Sequence, residues 1–330
     1  MKKILIVSEY RENDPRYFQV TSIINFIRSQ GYDLDIFDMH KFVIPRLPWE
    51  ININFVYLRS LFLVKHIVRT KPDIVFVLKG HGILRKTIAK ARSLASATRF
   101  ILHAYDDIFG VINDYSRSSC IREYDIVALY DKYNWEELNE RHINSIYTPL
   151  WFDKELFDSV TVKGKKYDVT FAGSWNKKRE KLLNELVEIY PDIGLHIWGP
   201  DWNHCSYKNL MKFYHPEAVY AEKMVMIFKE SKILINIFDE HTIKATNYRT
   251  YEALGSKSLL INEANSELNN LFKIGEHLDV FSNARELKEK IKYYLNNEEL
   301  CREMSDTAYN YVSENYTLAH FMNKIFDSIK

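Results

Sequence analysis

A chain of 330 residues that is 46% hydrophobic carries enough apolar material for two packed cores rather than one. Its 45 lysines and arginines nearly balance its 44 aspartates and glutamates, which excludes a bulk field for holding nucleic acid, so any anion site must be local. Three widely separated cysteines without zinc spacing, and no apolar run near the roughly 18 residues of a membrane span, lead us to expect a cytoplasmic protein without a structural metal.

The opening Met1-Lys2-Lys3 runs straight into an apolar stretch at 4–7, which Ser8, Glu9 and Tyr10 end before a signal-peptide core could form; this predicts a buried strand. A helix over 17–29, stopped by Gly31, follows, and further strands are predicted at 34–37, 74–78, 99–103, 126–129 and 145–147. Asp33-Leu34-Asp35 is formally a DxD metal motif, but it opens a strand and reads as its polar face, so no metal is predicted. Residues 42–71 mix aromatic, aliphatic and basic side chains. That pattern suits a crossover helix buried on one side, or a peripheral contact with an anionic membrane.

At Thr148-Pro149-Leu150 the alternation pauses, and proline there favours a hinge. Strands then recur at 168–171, 195–198, 233–237, 258–261 and 278–281, with helices dominating from Glu286. Short apolar strands alternating with helical patterns specify α/β units with parallel sheets. The expectation is two Rossmann-like, doubly wound domains facing each other across a cleft. The first would cover residues 1–150 and the second 151–316, with a last helix at about 317–330 free to pack back on the first. Open sheets of this kind bind ligands at the carboxyl ends of their strands, so function is sought in the loops that follow strands.

In the second unit the strand at 233–237 is followed by a polar loop and then by Thr246-Asn247-Tyr248-Arg249-Thr250-Tyr251-Glu252-Ala253-Leu254-Gly255. Thr246 or Asn247 can cap a helix there, whose free amides and partial positive charge suit a diphosphate. Arg249 in its first turn can add bidentate contacts to phosphate oxygens, and Glu252 shares its face, where a carboxylate can accept both hydroxyls of a ribose. A plain surface ion pair between Arg249 and Glu252, contributing about 0.3 kcal/mol, is the bland reading of the same residues.

The order of Tyr167-Asp168-Val169-Thr170-Phe171-Ala172-Gly173-Ser174-Trp175, Arg179, Leu182-Leu183, Ile197-Trp198-Gly199-Pro200 and the Asn247, Arg249, Tyr251, Glu252, Gly255 segment resembles the donor domain of the group 1 glycosyltransferases, most closely their CgeB-like branch. The resemblance covers roughly residues 167 to 320. It implies the GT-B fold and transfer of a sugar from a nucleotide-diphosphate donor, with no cofactor, in surface polysaccharide or glycoconjugate synthesis. Gly173, Ser174, Arg179, Asn247, Tyr248, Arg249 and Glu252 would line the donor site. Where the commoner pattern has a second glutamate eight positions before Glu252, this chain has Lys244.

The first unit would read a glycan or lipid-linked glycan acceptor. Its loops offer Glu9 and Tyr10, then Lys79 with His81 between Gly80 and Gly82, and the acidic pair Asp106 and Asp107 that the CgeB-like proteins resemble. Transfer to a hydroxyl needs a general base, for which Asp107 is the first choice, followed by Asp106 and His81. Two other readings use the same donor features: a GT-B nucleotide-sugar epimerase, which needs no acceptor, and a non-catalytic nucleotide- or sugar-binding module.

Overall fold

The computed structural model describes residues 2–42, 49–80, 82–104, 120–239 and 245–329, with side chains at all of these except 42 and 49–57. The chain divides into two units, Met1–Pro149 with Phe321–Lys330, and Leu150–His320.

In the first unit six strands form one parallel sheet: β1 (Lys3–Ser8), β2 (Asp33–Asp38), β3 (Ile74–Leu78), β4 (Arg99–Ala104), β5 (Ile126–Leu129) and β6 (Ser145–Tyr147). Their spatial order is β2-β1-β3-β4-β5-β6. All five residues of β3, Ile-Val-Phe-Val-Leu, are buried, which is why the central strands read as unbroken apolar runs rather than alternating ones. Three helices accompany the sheet: α1 (Phe18–Ser29), α2 (Trp49–Thr70) and α3 (Arg85–Leu94). Helix α1 buries Val20, Ile23, Ile24 and Ile27, the stripe expected of a 3.6-residue period. Gly31 ends it by taking φ +74°, so that its N–H reaches Arg28 O at 3.0 Å while Tyr32 N–H reaches Ile27 O at 3.4 Å. A further helix, α4 (Lys132–Glu140), is capped by Asp131.

The second unit repeats the plan with β7 (Tyr167–Ala172), β8 (Leu195–Trp198), β9 (Tyr214–His215), β10 (Ser231–Asn236), β11 (Leu259–Glu263) and β12 (Asp279–Phe281), again all parallel, in the order β12-β11-β10-β7-β8-β9. Its helices are α5 (Lys154–Ser159), α6 (Lys177–Ile189), α7 (Lys208–Met211), α8 (Ala221–Lys229), α9 (Tyr248–Leu254), α10 (Ser266–Leu271), α11 (Ala284–Leu295) and α12 (Glu298–Asn315); the last helix, α13 (Leu318–Asp327), belongs from Phe321 onward to the first unit. One strand, β9, was not anticipated: two residues at a sheet edge leave no apolar run to read. Gly255, just past α9, faces Phe152, whose ring lies 2.4 Å from where a Cβ would stand, so packing excludes every larger residue there.

The last helix carries Phe321 into the first unit, where its ring lies 4.6 Å from that of His103 on β4. His103 is wholly buried, its Nδ1 donates to Ala128 O at 3.3 Å, and burial holds its pKa down at about 3 because the charged ring would lose its water. An unfolded histidine titrates near 6.5, so between about 3 and 6.5 the unfolded chain binds the extra proton. Stability from this group is therefore complete above pH 6.5 and is lost as pH falls through that window, by up to about 1.4 kcal/mol per pH unit. Urea unfolding of the wild type and of His103→Gln between pH 7.5 and 5 should give a shallower loss for the variant, by on the order of 1 kcal/mol per unit.

Candidate active site

In the second sheet the chain builds outward from β7 through β8 to β9, then returns to lay β10 on the other side of β7. The carboxyl ends of β7 and β10 therefore flank the point where strand order reverses, the place at which open parallel sheets take ligands. From β7 the chain passes Gly173-Ser174-Trp175-Asn176 into α6; from β10 it leads on to Asp239, and residues 245–247 enter α9. Asn176 caps α6 by accepting from Arg179 N at 2.8 Å, and Asn247 caps α9 by accepting from Thr250 N at 3.2 Å. Two helix N-termini, each with partial positive charge, thus start beside the same reversal.

The α9 terminus is tied to the sheet by an amide lattice. Asn236 Nδ2 donates to Asn262 Oδ1 at 2.7 Å and to Asn247 Oδ1 at 2.9 Å, and Thr250 Oγ1 donates to Asn262 Oδ1 at 3.2 Å. Asn236, Thr250 and Asn262 are buried, and each buried polar group with its partners fixed adds rigidity rather than cost. Asn236 and Asn262 are not among the site residues expected from the sequence. Their signal was a polar residue closing an otherwise apolar strand. Asn247, expected as a donor ligand, spends its side-chain oxygen on this lattice and on the cap.

Arg179 lies only 8% exposed between the two loops. Its Nε donates to Ile237 O at 3.1 Å, and Nη1 donates to Ser174 O at 2.9 Å and Ser174 Oγ at 3.1 Å. Its nearest carboxylate among the described residues, Asp239, stands 3.9 Å away and is 43% exposed. Burial pulls the Arg179 pKa down and nearby Arg249 adds to this, while Asp239 and Glu263 pull it up. Because a buried cation with so loose a counterion is costly, this position favours an incoming anion. Neighbouring Lys178 is not in that state, since Glu263 Oε2 holds it at 2.8 Å.

Arg249 and Glu252 pair as spaced, Nη1 to Oε2 at 2.6 Å, but not as a surface pair: their side chains are 23% and 4% exposed. The Arg249 guanidinium also lies over the Phe228 ring, 4.8 Å from its centre. Nη1 spends its two donors on Glu252 and on the Met224 sulfur, which leaves Nε and Nη2 able to bind phosphate oxygens. Tyr248 packs edge-on against Trp151, with ring centres 5.4 Å apart.

Close backbone approach shapes the floor of the site. A Cβ on Gly199 would stand 2.0 Å from Gly173 O, an oxygen that also accepts from Trp202 Nε1 at 2.9 Å. In the first unit, Glu9 and Tyr10 follow β1 and Lys79 follows β3, adjacent strands at that sheet's own reversal. Lys79 takes φ +66°, and its N–H donates to His103 O at 2.9 Å. Gly82 is approached by the chain's own Arg59, which donates to its carbonyl. The proposed bases His81, Asp106 and Asp107, and Lys244, lie outside the described residues. Asp33 and Asp35 of the DxD pattern face Lys3 at 3.9 Å and His66 at 2.7 Å, and among the described residues no three potential metal ligands cluster.

Residues 177–327 match the family model described as glycosyl transferase-like. Similar folds span nearly whole chains. Sucrose-phosphate synthase from Thermosynechococcus elongatus aligns with a TM-score of 0.74 at 10% identity, over 100% of this chain and 99% of that one. Anabaena Alr3699/HepE, solved in complex with UDP and glucose, aligns with a TM-score of 0.71 at 11% identity, over 100% and 99%. A putative UDP-N-acetylglucosamine 2-epimerase from Listeria monocytogenes aligns with a TM-score of 0.65 at 14% identity, over 100% and 96%. No curated protein sequence matches the chain. Two six-stranded parallel sheets of this topology give the chain the GT-B fold, and the glycosyl transferase-like match covers the unit that holds Arg179, Arg249 and Glu252.

Gly199→Ala forces a methyl into the Gly173 carbonyl at a φ of +141°, and should cost about 1–3 kcal/mol in urea unfolding. Gly164→Ala, at φ +158° but with no atom within 4 Å, carries backbone strain without the clash and should cost less than Gly199→Ala.

Proposed function

We propose that the protein moves a sugar from a nucleoside diphosphate to a hydroxyl of a glycan or lipid-linked glycan, in polysaccharide or glycoconjugate synthesis on the cytoplasmic side. The observation that carries this is Arg179, a buried and loosely countered cation at the strand reversal, set beside two asparagine-capped helix N-termini. In the transfer the bond from the sugar's anomeric carbon to the diphosphate breaks, and its electron pair leaves on the diphosphate. Arg179, Arg249 and the amides opening α6 and α9 stabilise that developing charge, the task that a divalent cation would otherwise perform. Glu252 accepts the ribose hydroxyls. The acceptor oxygen gives its proton to Asp107, with Asp106 and His81 as the next candidates, while Gly173 and Ser174 let the donor lie against backbone, Tyr248 adjoins it, and Glu9, Tyr10 and Lys79 serve the acceptor. HepE was solved with UDP, which makes UDP the first donor nucleotide to try.

Titration calorimetry with UDP should show Glu252→Ala weakening binding more than tenfold, about 1.4 kcal/mol, and affinity kept within about threefold would remove the ribose role. Asp107→Asn should keep UDP affinity and abolish transfer. Epimerised nucleotide-sugar with no acceptor used would instead favour the epimerase reading, for which the Listeria likeness gives fold support alone.

A membrane contact is supported by α2. Its described part buries Arg59, Leu63 and Ile67, and exposes Leu58, Leu61, Phe62, Lys65 and Arg69 along the opposite stripe. Leu61 is 69% exposed, unusual for an isolated leucine and suited to an anionic bilayer that also attracts the two cations. No helix among the described residues is long and apolar enough to cross a membrane. Sedimentation with phosphatidylglycerol vesicles should carry the protein down, and Leu61→Glu with Phe62→Glu should leave it in solution; equal partition of both would end this reading.

A further inference from the structure

At the amino ends of the second sheet, opposite the donor loops, lies a cavity of about 370 Å³. Its walls come from the start of β7 (Lys165), the start of β10 (Lys232), the turn after α9 (Lys257) and the first two turns of α12. Nothing in the transfer chemistry uses this space, and its size is that of a small-metabolite pocket. Four cations and three carboxylates line it: Lys165, Lys232, Lys257 and Arg302 against Glu298, Glu299 and Asp306.

The charges do not pair evenly. Lys232 is held by Glu298 at 2.8 Å and by Asp168 at 3.0 Å, Lys257 by Asp306 at 3.8 Å, and Arg302 by Glu299 at 3.7 Å. Lys165 has no carboxylate within ion-pair distance among the described residues. Its Nζ instead donates to Lys257 O and to Ser258 Oγ, both at 2.7 Å, which uses two of its three N–H donors on neutral acceptors. Lys165 is exposed as a residue, yet desolvation pulls its pKa down to about 8 against the pull of Cys301 and Asp306, with Lys229 adding to the fall.

We propose that this cavity is a second ligand site, taking a small oxyanion, phosphate or carboxylate, whose charge is countered by Lys165. The oxyanion supplies the acceptor for the third N–H and a negative charge beside the one lining cation that has no carboxylate within ion-pair distance among the described residues, as a charge-assisted hydrogen bond. The atoms that Lys165 already grips belong to the turn joining α9 to β11, so an occupant abuts the segment that ends the donor helix.

Lysine footprinting of the full chain with an amine-selective acylating reagent at pH 8, read at Lys165 by peptide mass spectrometry, tests this without reference to the donor site. A lysine whose pKa is lowered should acylate faster at that pH than exposed Lys181. Inorganic phosphate or acetate in the tens of millimolar should then slow labelling at Lys165 severalfold, relative to chloride of equal ionic strength, and leave Lys181 unchanged. Protection by phosphate alone, or by acetate alone, names the oxyanion. Protection by neither overturns the proposal. Lys257→Met, which removes a neighbouring cation but leaves Lys165 and both its acceptors, should keep the protection, and general electrostatic screening as its cause would be shown by loss of the effect.

Discussion

Parallel strands are joined by crossovers, and in the second unit the chain, having laid β8 and β9 outward from β7, returns to β7 and builds the other way. At that return the connections leave in opposite directions, and the carboxyl ends of two adjacent strands stay uncovered. Everything functional in the second unit depends on this constraint. It brings the loop after β7 and the loop after β10 together, and it starts α6 and α9 at the same strand reversal. Gly199 against Gly173 brings a third loop into the same space.

Two devices make that crevice rigid without filling it. The amide lattice of Asn236, Asn247, Thr250 and Asn262 fixes where α9 begins, so its free amides point from a defined place. Arg179 cross-links the two loops through backbone oxygens rather than through a tight carboxylate. Had Asp239 closed to a bidentate pair, the positive charge would have been consumed internally. At 3.9 Å it lends partial compensation, enough to keep a buried guanidinium tolerable and too little to satisfy it.

The fold was legible because buried parallel strands are written as solid apolar runs and their helices as periodic ones; β3 and α1 are read almost residue for residue. β9 was not, since two edge residues carry no pattern. Within the site, Arg249 and Glu252 were legible by their spacing on one helix, but their burial was not, because Phe228, which lies under Arg249, comes from α8. Arg179 was flagged only by the family resemblance. Its significance, a buried cation whose nearest carboxylate among the described residues stands 3.9 Å away, emerges only when residues 174, 237 and 239 meet in space.

Near-neutral composition also concealed how charge is used. A chain with 45 basic and 44 acidic residues can bind anions only where pairing is locally incomplete, and incompleteness is a property of three-dimensional neighbours. Among the described residues the second unit holds a cation with loose or no carboxylate pairing at each end of one sheet. At the carboxyl end it is an arginine, whose charge persists at every working pH and whose planar fork matches a diphosphate. At the amino end it is Lys165, a compact ammonium whose charge desolvation weakens. The first suits permanent recognition of a leaving group. The second suits a ligand whose occupancy changes with conditions, because the anion itself restores the charge that it binds.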